Sequence, residues 1–403
     1  FKQKTAYEIR LSLVGSEMCI RDRLNDTRSV LPEARRAELK SDIEALESRL
    51  DLMAPQQPFA EPQGLTLMQL RAALAPTAAL LIISSNEKSS HAIVVEKARW
   101  SHIKLPSKAA LNAAIATLEK TPAARPAWQP LSGLLAPLAD ALAGVSRVWL
   151  LTDDPLTRVP WAALAHRKGG YWIEHWELIR LSAMPKSPAS LGSTQLLDGY
   201  QIGLWRSTPS SSALEQITLP RLRAFEAEAT LIKRAQPNRV IELNARNAAS
   251  STRPMVLHIA SHGLASLASP RAAALALPID QGAGIPHTEQ FQLSGPELLD
   301  AFKTPPQLVF LNACEGAQGR TTQARIDGLA GGFLSHRAQA VIAPLWPISD
   351  SSAARFSADF YAALNASANA DPVSALAAAQ REALARPRGA RQLDQWAGYV
   401  IYR

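Results

Sequence analysis

Two stretches decide how this chain folds. Met255 to Gly263 reads M-V-L-H-I-A-S-H-G, and Leu308 to Gly316 reads L-V-F-L-N-A-C-E-G. Each begins as a compact apolar run and breaks into small and polar residues, with Gly263 directly after His262 and Gly316 shortly after Cys314. A short apolar run bounded by turn residues reads as a buried strand, and a glycine past its end lets another backbone come close. Around these two strands, short apolar runs alternate with stretches of helical periodicity. That order predicts an α/β fold with a largely parallel sheet and helices on both faces.

In such a sheet, ligands collect beyond the carboxyl ends of the strands. The histidine strand ends at His262, the cysteine strand at Cys314, and a third run, Ala340 to Ala343, leads to Trp346 and Asp350. Their convergence would make a cleft with a base, a nucleophile and a pocket wall. A thiol with an ordinary pKa of about 8.5 is mostly protonated at neutral pH, so Cys314 needs an imidazole to take its proton. The backbone N–H groups of Gly263 and Cys314 are the candidate donors to the developing oxyanion, and Trp346 and Asp350 are the candidate substrate-binding residues.

Each choice has a plainer reading. Cys314 alone would be a small core residue, and His262 a hydrogen-bonded loop histidine. His258 alternates onto the same strand face as His262. It reads as structural, because a His-x-x-x-His metal pair wants a helix and no third ligand is evident. Asp350 also suits the N-terminus of a helix beginning near Ser351, where a carboxylate caps free N–H groups. No cofactor or metal is expected.

Several separated motifs, in order, resemble the CHAT domain, a bacterial relative of caspases and separases often fused to tetratricopeptide repeats. They are His258-Ile259-Ala260-Ser261-His262-Gly263, Leu311-Asn312-Ala313-Cys314, Asp327-Gly328-Leu329-Ala330 and Pro344-Leu345-Trp346-Pro347-Ile348-Ser349-Asp350. Leu135-Ala136-Pro137-Leu138, Pro160-Trp161-Ala162-Ala163-Leu164 and Trp396-Ala397-Gly398-Tyr399 extend the likeness over roughly residues 65 to 403. The separation of His262 from Cys314 is close to the roughly 50 residues of caspases, and Asn312 to Gly316 resembles the caspase nucleophile pattern except at its first and fourth positions. The resemblance implies a caspase-like cysteine endopeptidase with a His262–Cys314 dyad that needs no third acidic member. It also implies a protein substrate and regulation by an upstream helical region or a separate repeat protein.

Composition bounds the rest. Of 403 residues, 47% are hydrophobic and 19% charged, which is globular. No run reaches the roughly 18 apolar residues of a membrane helix. The net charge of +8 includes basic groups at Arg221–Arg223, Lys233–Arg234 and Arg386–Arg391, but no aromatic platform accompanies them, so no dedicated nucleic-acid site is indicated. Two cysteines, Cys19 and Cys314, make no disulfide framework and suit a reducing, cytoplasmic compartment.

Along the chain, residues 1–23 resemble translated adaptor sequence and are expected to be a non-native leader. In residues 24–64, Leu39, Ile43, Leu46, Leu50 and Met53 predict a short helix with a pairing seam, followed by a Pro/Gln linker. Residues 65–191 form the expected N-terminal half of the domain and 192–403 its catalytic half, with the Ser/Thr-rich stretch Gly192 to Leu214 as the boundary. Ser266 to Thr288 is expected as a long mobile loop. Two other functions stay open: a catalytically silent scaffold that binds protein partners, and an assembly protein activated through the Leu39–Met53 seam.

Overall fold

A computed structural model describes residues 65–403 apart from 121–124, 193–195, 197–198, 207–212, 215–216, 219–223, 244–247, 249–254, 265–273, 279–290, 295, 314–320, 323–324, 327, 368 and 390–391. The expected leader, seam helix and linker therefore lie outside the described residues, as does Cys314.

The chain begins with α1 (Leu67–Ala73), β1 (Ala78–Ser84), β2 (Ser90–Glu96) and β3 (Trp100–Leu105). Next come α2 (Lys108–Lys120), α3 (Arg125–Ala141), β4 (Arg147–Thr152), α4 (Trp172–His175), β5 (Glu177–Arg180) and β6 (Gln201–Arg206). After a small hairpin, β7 (Ala213–Leu214) and β8 (Ile217–Thr218), come α5 (Phe225–Ala235), β9 (Val240–Leu243), β10 (Met255–Ala260) and β11 (His262–Leu264). Then follow β12 (Ala274–Pro278), β13 (Phe291–Ser294), β14 (Leu308–Asn312), and the two-residue strands β15 (Thr321–Thr322) and β16 (Arg325–Ile326). The chain closes with α6 (Gly328–Ser335), β17 (Ala340–Pro344), α7 (Asp350–Ala366), α8 (Pro372–Ala385) and β18 (Tyr399–Tyr402).

Eleven of these strands form one sheet in the order β3-β2-β1-β4-β5-β18-β17-β14-β10-β6-β9. It is built of two parallel blocks. In the first, β1, β4, β5 and β18 run in one direction. In the second, β17, β14, β10, β6 and β9 run together. The blocks meet where β18 pairs antiparallel with β17, so their carboxyl ends lie on opposite edges of the sheet. β2 and β3 add an antiparallel edge to the first block.

Alternation along each strand sends neighbouring side chains to opposite faces. On one face Leu80, Trp149, Ile179, Ile202, Val256, Leu308, Ile342 and Ile401 meet Phe360 and Leu364 of α7 and Leu376 of α8, a core continuous across both blocks. The other face carries two separate cores. Leu81, Val148 and Leu150 pack on Leu111 and Ile115 of α2 and Leu131 and Leu135 of α3. Leu257, Ile259, Val309, Leu311 and Val341 pack on Leu329 and Phe333 of α6. Strands buried on both faces read as unbroken apolar runs, as in the parallel sheet expected from the sequence.

Three departures from the sequence reading have physical causes. β3 was not expected: Trp-Ser-His-Ile-Lys-Leu is half polar because it is an edge strand, exposed at alternate residues. β6 lies inside the stretch read as a boundary, its apolar Ile202, Leu204 and Trp205 flanked by polar residues on both sides. The stretch Trp172 to Leu181, rich in residues that favour strands, opens with the short helix α4 before β5, its Glu174 closing back on the N–H of Tyr171.

Candidate active site

The histidine and cysteine strands are neighbours. β10 and β14 pair in parallel from Val256↔Leu308 to Ala260↔Asn312, and β17 lies on the far side of β14. The three expected strand ends thus lie side by side on one edge. Ala260↔Asn312 is the last rung, and His262 and Cys314 each follow it at the same distance along the chain. Beyond the rung, the Ser261 N–H reaches the Asn312 carbonyl at 3.4 Å. The chain then enters a separate three-stranded sheet, β11-β12-β13, in which His262 pairs with Ala276 and Gly263 with Leu275. This corrects the reading of Ser266 to Thr288 as a loop throughout, because Ala274 to Pro278 is a strand. Its Ala-Leu-Ala-Leu-Pro sequence is weak in β-branched residues, and pairing on both sides supplies what propensity does not.

Directly beneath the last rung lies a buried polar cluster. Glu228 sits in the first turn of α5, whose Lys233 and Arg234 occupy the last turn, an arrangement favoured by the helix dipole. Its Oε1 accepts from His258 Nε2 at 3.1 Å, Asn312 Nδ2 at 2.5 Å and Ser357 Oγ at 2.7 Å. His258 Nδ1 lies 3.1 Å from the Tyr361 hydroxyl, and its ring stacks on Phe310 at 5.0 Å. Tyr399 donates its hydroxyl to Asn312 Oδ1 at 2.7 Å, while its own ring stacks on Phe356 at 4.0 Å. Burial pushes the Glu228 carboxyl up, but the hydrogen bond and charge of His258, with the bonds from Ser357 and Asn312, hold it below the ordinary carboxylate value. An ionised carboxylate only accepts, so in its contact with His258 the ring Nε2 is the donor. Burial, and then the charge of Glu228, push the Tyr361 phenol well above its usual range.

His258 is buried and hydrogen-bonded on both ring nitrogens, as the structural reading of it expects. Glu228, Ser357, Tyr361 and Tyr399 were missed by sequence reasoning. Ser357 and Tyr361 look like ordinary helix residues; Glu228, acidic in a half-apolar helix, and Tyr399, inside the Trp396-Ala397-Gly398-Tyr399 motif, carried a signal without pointing to this cluster.

Trp346 is half-buried. Its indole N–H donates to the Asp394 carbonyl at 2.8 Å, and its ring meets Trp128 edge-on at 6.4 Å. Gly398 lies so close that an added Cβ would stand 2.7 Å from the Trp346 ring. The glycine is thus required for the indole to sit where it does. Asp350 is the first residue of α7, which starts one residue earlier than expected. The cap expected of it is made by Ser349, whose hydroxyl accepts from the Ser352 N–H; this leaves Asp350 as the acid in the first turn. Beside the start of α7 a cleft of about 470 Å³ is lined by Ser351, Ser352, Arg355, Phe356, Gln395 and Trp396, among others. Among the described residues, no group of three acidic, histidine or cysteine side chains could hold a metal ion, and no helix is long and apolar enough to cross a membrane.

A reversed pair of parallel blocks, with histidine and cysteine motifs beyond one shared rung, defines a caspase-like α/β protein. The chain belongs to the CHAT domain family, whose model matches residues 124–403. No curated protein sequence matches it. Among solved structures it is similar to the Saccharomyces cerevisiae separase–securin complex, with TM-score 0.53 and 9% identity over 99% of this chain and 34% of that one. It is also similar to the Arg-specific cysteine proteinase gingipain R, with TM-score 0.38 and 12% identity over 70% of this chain and 68% of that one. The chain thus spans about a third of the separase chain it matches.

Proposed function

We propose that this chain is a cysteine endopeptidase that cuts a protein partner, with His262 as base and Cys314 as nucleophile. The observation that carries the reading is the rung Ala260↔Asn312 between the adjacent strands β10 and β14, after which His262 and Cys314 each follow two residues along the chain. The His262 imidazole takes the Cys314 proton, and the thiolate sulfur attacks the scissile carbonyl carbon. The carbonyl oxygen becomes an oxyanion that accepts from the backbone N–H groups of Gly263 and Cys314. As the tetrahedral species collapses, the C–N bond breaks and the imidazolium gives its proton to the leaving amine. Water, deprotonated by His262, then cleaves the thioester and restores the thiol.

Trp346 and Asp350 stand after β17, on the same edge as the two motifs, and are the proposed walls for the residue preceding the cut bond. A carboxylate there would favour Lys or Arg. Asp350→Asn keeps the side-chain size and removes the charge, so cutting after basic residues should fall relative to cutting after neutral ones. An unchanged ratio would remove Asp350 from the pocket. The regulator proposed for this domain is a repeat protein or an upstream helical region.

The deciding experiment labels the wild type and Cys314→Ala with a peptidyl electrophile and follows peptide turnover in both. Labelling and turnover should both vanish in Cys314→Ala, and turnover should vanish in His262→Ala with little change in melting temperature. A folded wild type that neither labels nor cleaves would leave the silent scaffold as the better reading. Turnover surviving in Cys314→Ala would end the mechanism.

A further inference from the structure

Parallel ladders hold two strands in register only as far as their last rung. Here that rung is Ala260↔Asn312, and past it, among the described residues, the Ser261 N–H reaches the Asn312 carbonyl at a long 3.4 Å. At this point Asn312 and the buried Ala313 are the last described residues of the cysteine strand, and Asn312 is held by side chains. Asn312 is gripped at both ends of its amide. Its Nδ2 donates to Glu228 and, at 3.1 Å, to Ser357, while its Oδ1 accepts from Tyr399. A planar amide fixed at nitrogen and oxygen fixes its own Cβ, and with it the direction in which the strand ends.

The same oxygen of Glu228 also holds His258, one helical-turn's length of chain before His262 on the neighbouring strand. One carboxylate on α5 therefore references both motif-bearing strands to the helical layer. Apolar side chains of similar volume would stabilise this position about as well, since replacing buried ionic clusters by well-packed hydrophobic residues is often neutral or favourable. A charge with three donors on three separate elements does something apolar packing does not: it fixes side-chain orientation.

We infer that Glu228 is a positioning residue for the Cys314 thiol, acting through the Asn312 amide, with Tyr399 as the second grip. This rests on the peptidase reading for its consequence in turnover, but its geometric core does not. A displacement of about 1 Å in a reacting group can cost on the order of a hundredfold in rate, so loosening this amide should be read in catalysis before it is read in binding.

The test uses the full chain carrying Glu228→Gln, Tyr399→Phe or both, each assayed well below its own melting transition. Two rates are measured: turnover of a peptide the wild type cuts, and alkylation of Cys314 by iodoacetamide, with Cys19 as internal reference and the sites separated by peptide mass. Each single variant should lower kcat by about tenfold or more with KM within about twofold. Each should also slow Cys314 alkylation while leaving Cys19 unchanged. The double variant should lose no more than the worse single one, because both act on one amide. Should Glu228→Gln not fold, Tyr399→Phe, which removes one hydroxyl, decides alone. Wild-type kcat and Cys314 reactivity in a folded single variant would overturn the inference, as would losses that multiply in the double variant. If the wild type cleaves nothing, the peptidase reading fails and the alkylation rates decide this inference: slowed Cys314 supports it, and unchanged Cys314 overturns it.

Discussion

At the carboxyl ends of β4 and β5 the buried charge is a cation, Arg180; at the carboxyl ends of β10 and β14 it is an anion, Glu228. Arg180 donates to the carbonyls of Thr157 and Val159, in the turn that follows β4, and to the Tyr402 hydroxyl at 3.3 Å. Its main acceptors are backbone atoms, which are present whatever side chains the turn carries. Glu228 is met by side chains from β10, β14 and α7, each replaceable by mutation. The first edge is therefore fastened along the path of its chain. The second is fastened by the orientation of its side chains, and it is the edge at which β10 and β14 end, two residues before His262 and Cys314 along the chain.

That contrast can be broken most sharply by removing each charge. Arg180→Met leaves two carbonyls in need of donors, at about 1–3 kcal/mol for each orphaned group. Glu228→Ala leaves three donors without their acceptor and should cost about 3–5 kcal/mol. Urea midpoints should fall in both proteins. Turnover per folded molecule should fall only in Glu228→Ala, and an equal loss in Arg180→Met would erase the distinction between the two edges.

Acid sharpens it next. The folded Glu228 carboxyl is held below its ordinary value, so its contribution to stability is complete above that value and is lost as pH falls through the lower, folded one. Wild-type stability should therefore drop in acid more steeply than that of Glu228→Gln. Parallel stability–pH curves for the two proteins would mean the carboxylate is not held as described.

Smaller effects mark the periphery of the cluster. Tyr361→Phe removes the hydroxyl at His258 Nδ1 and should cost about 1 kcal/mol in chemical denaturation. Ser349→Ala should cost about 1 kcal/mol through the lost cap of α7. Asp350→Asn should cost only about 0.3–1 kcal/mol through the helix dipole. A larger loss in Asp350→Asn than in Ser349→Ala would reverse the assignment of the cap.

Much of this was legible along the chain. Arg147 to Thr152 and Tyr399 to Tyr402 are legible as strands because their inner residues are apolar throughout, as burial on both faces requires. The hairpin of β1 and β2 announced itself by a polar turn between two apolar runs. The histidine and cysteine motifs stood out because a strand end at a site exchanges apolar residues abruptly for small and polar ones.

The sequence by itself determined the buried strands at the centre of the sheet, the long helices that cover it, and which residues follow the ends of β10 and β14 along the chain. These follow from local periodicity, which needs no knowledge of distant partners. Only the tertiary structure decided that β18 runs against β17 and so turns the two blocks in opposite directions, since strand direction within a sheet depends on how the chain returns. It also decided that Glu228, His258, Asn312, Ser357, Tyr361 and Tyr399 meet. They come from five elements widely separated along the chain, and no periodicity within one element encodes a bond to another.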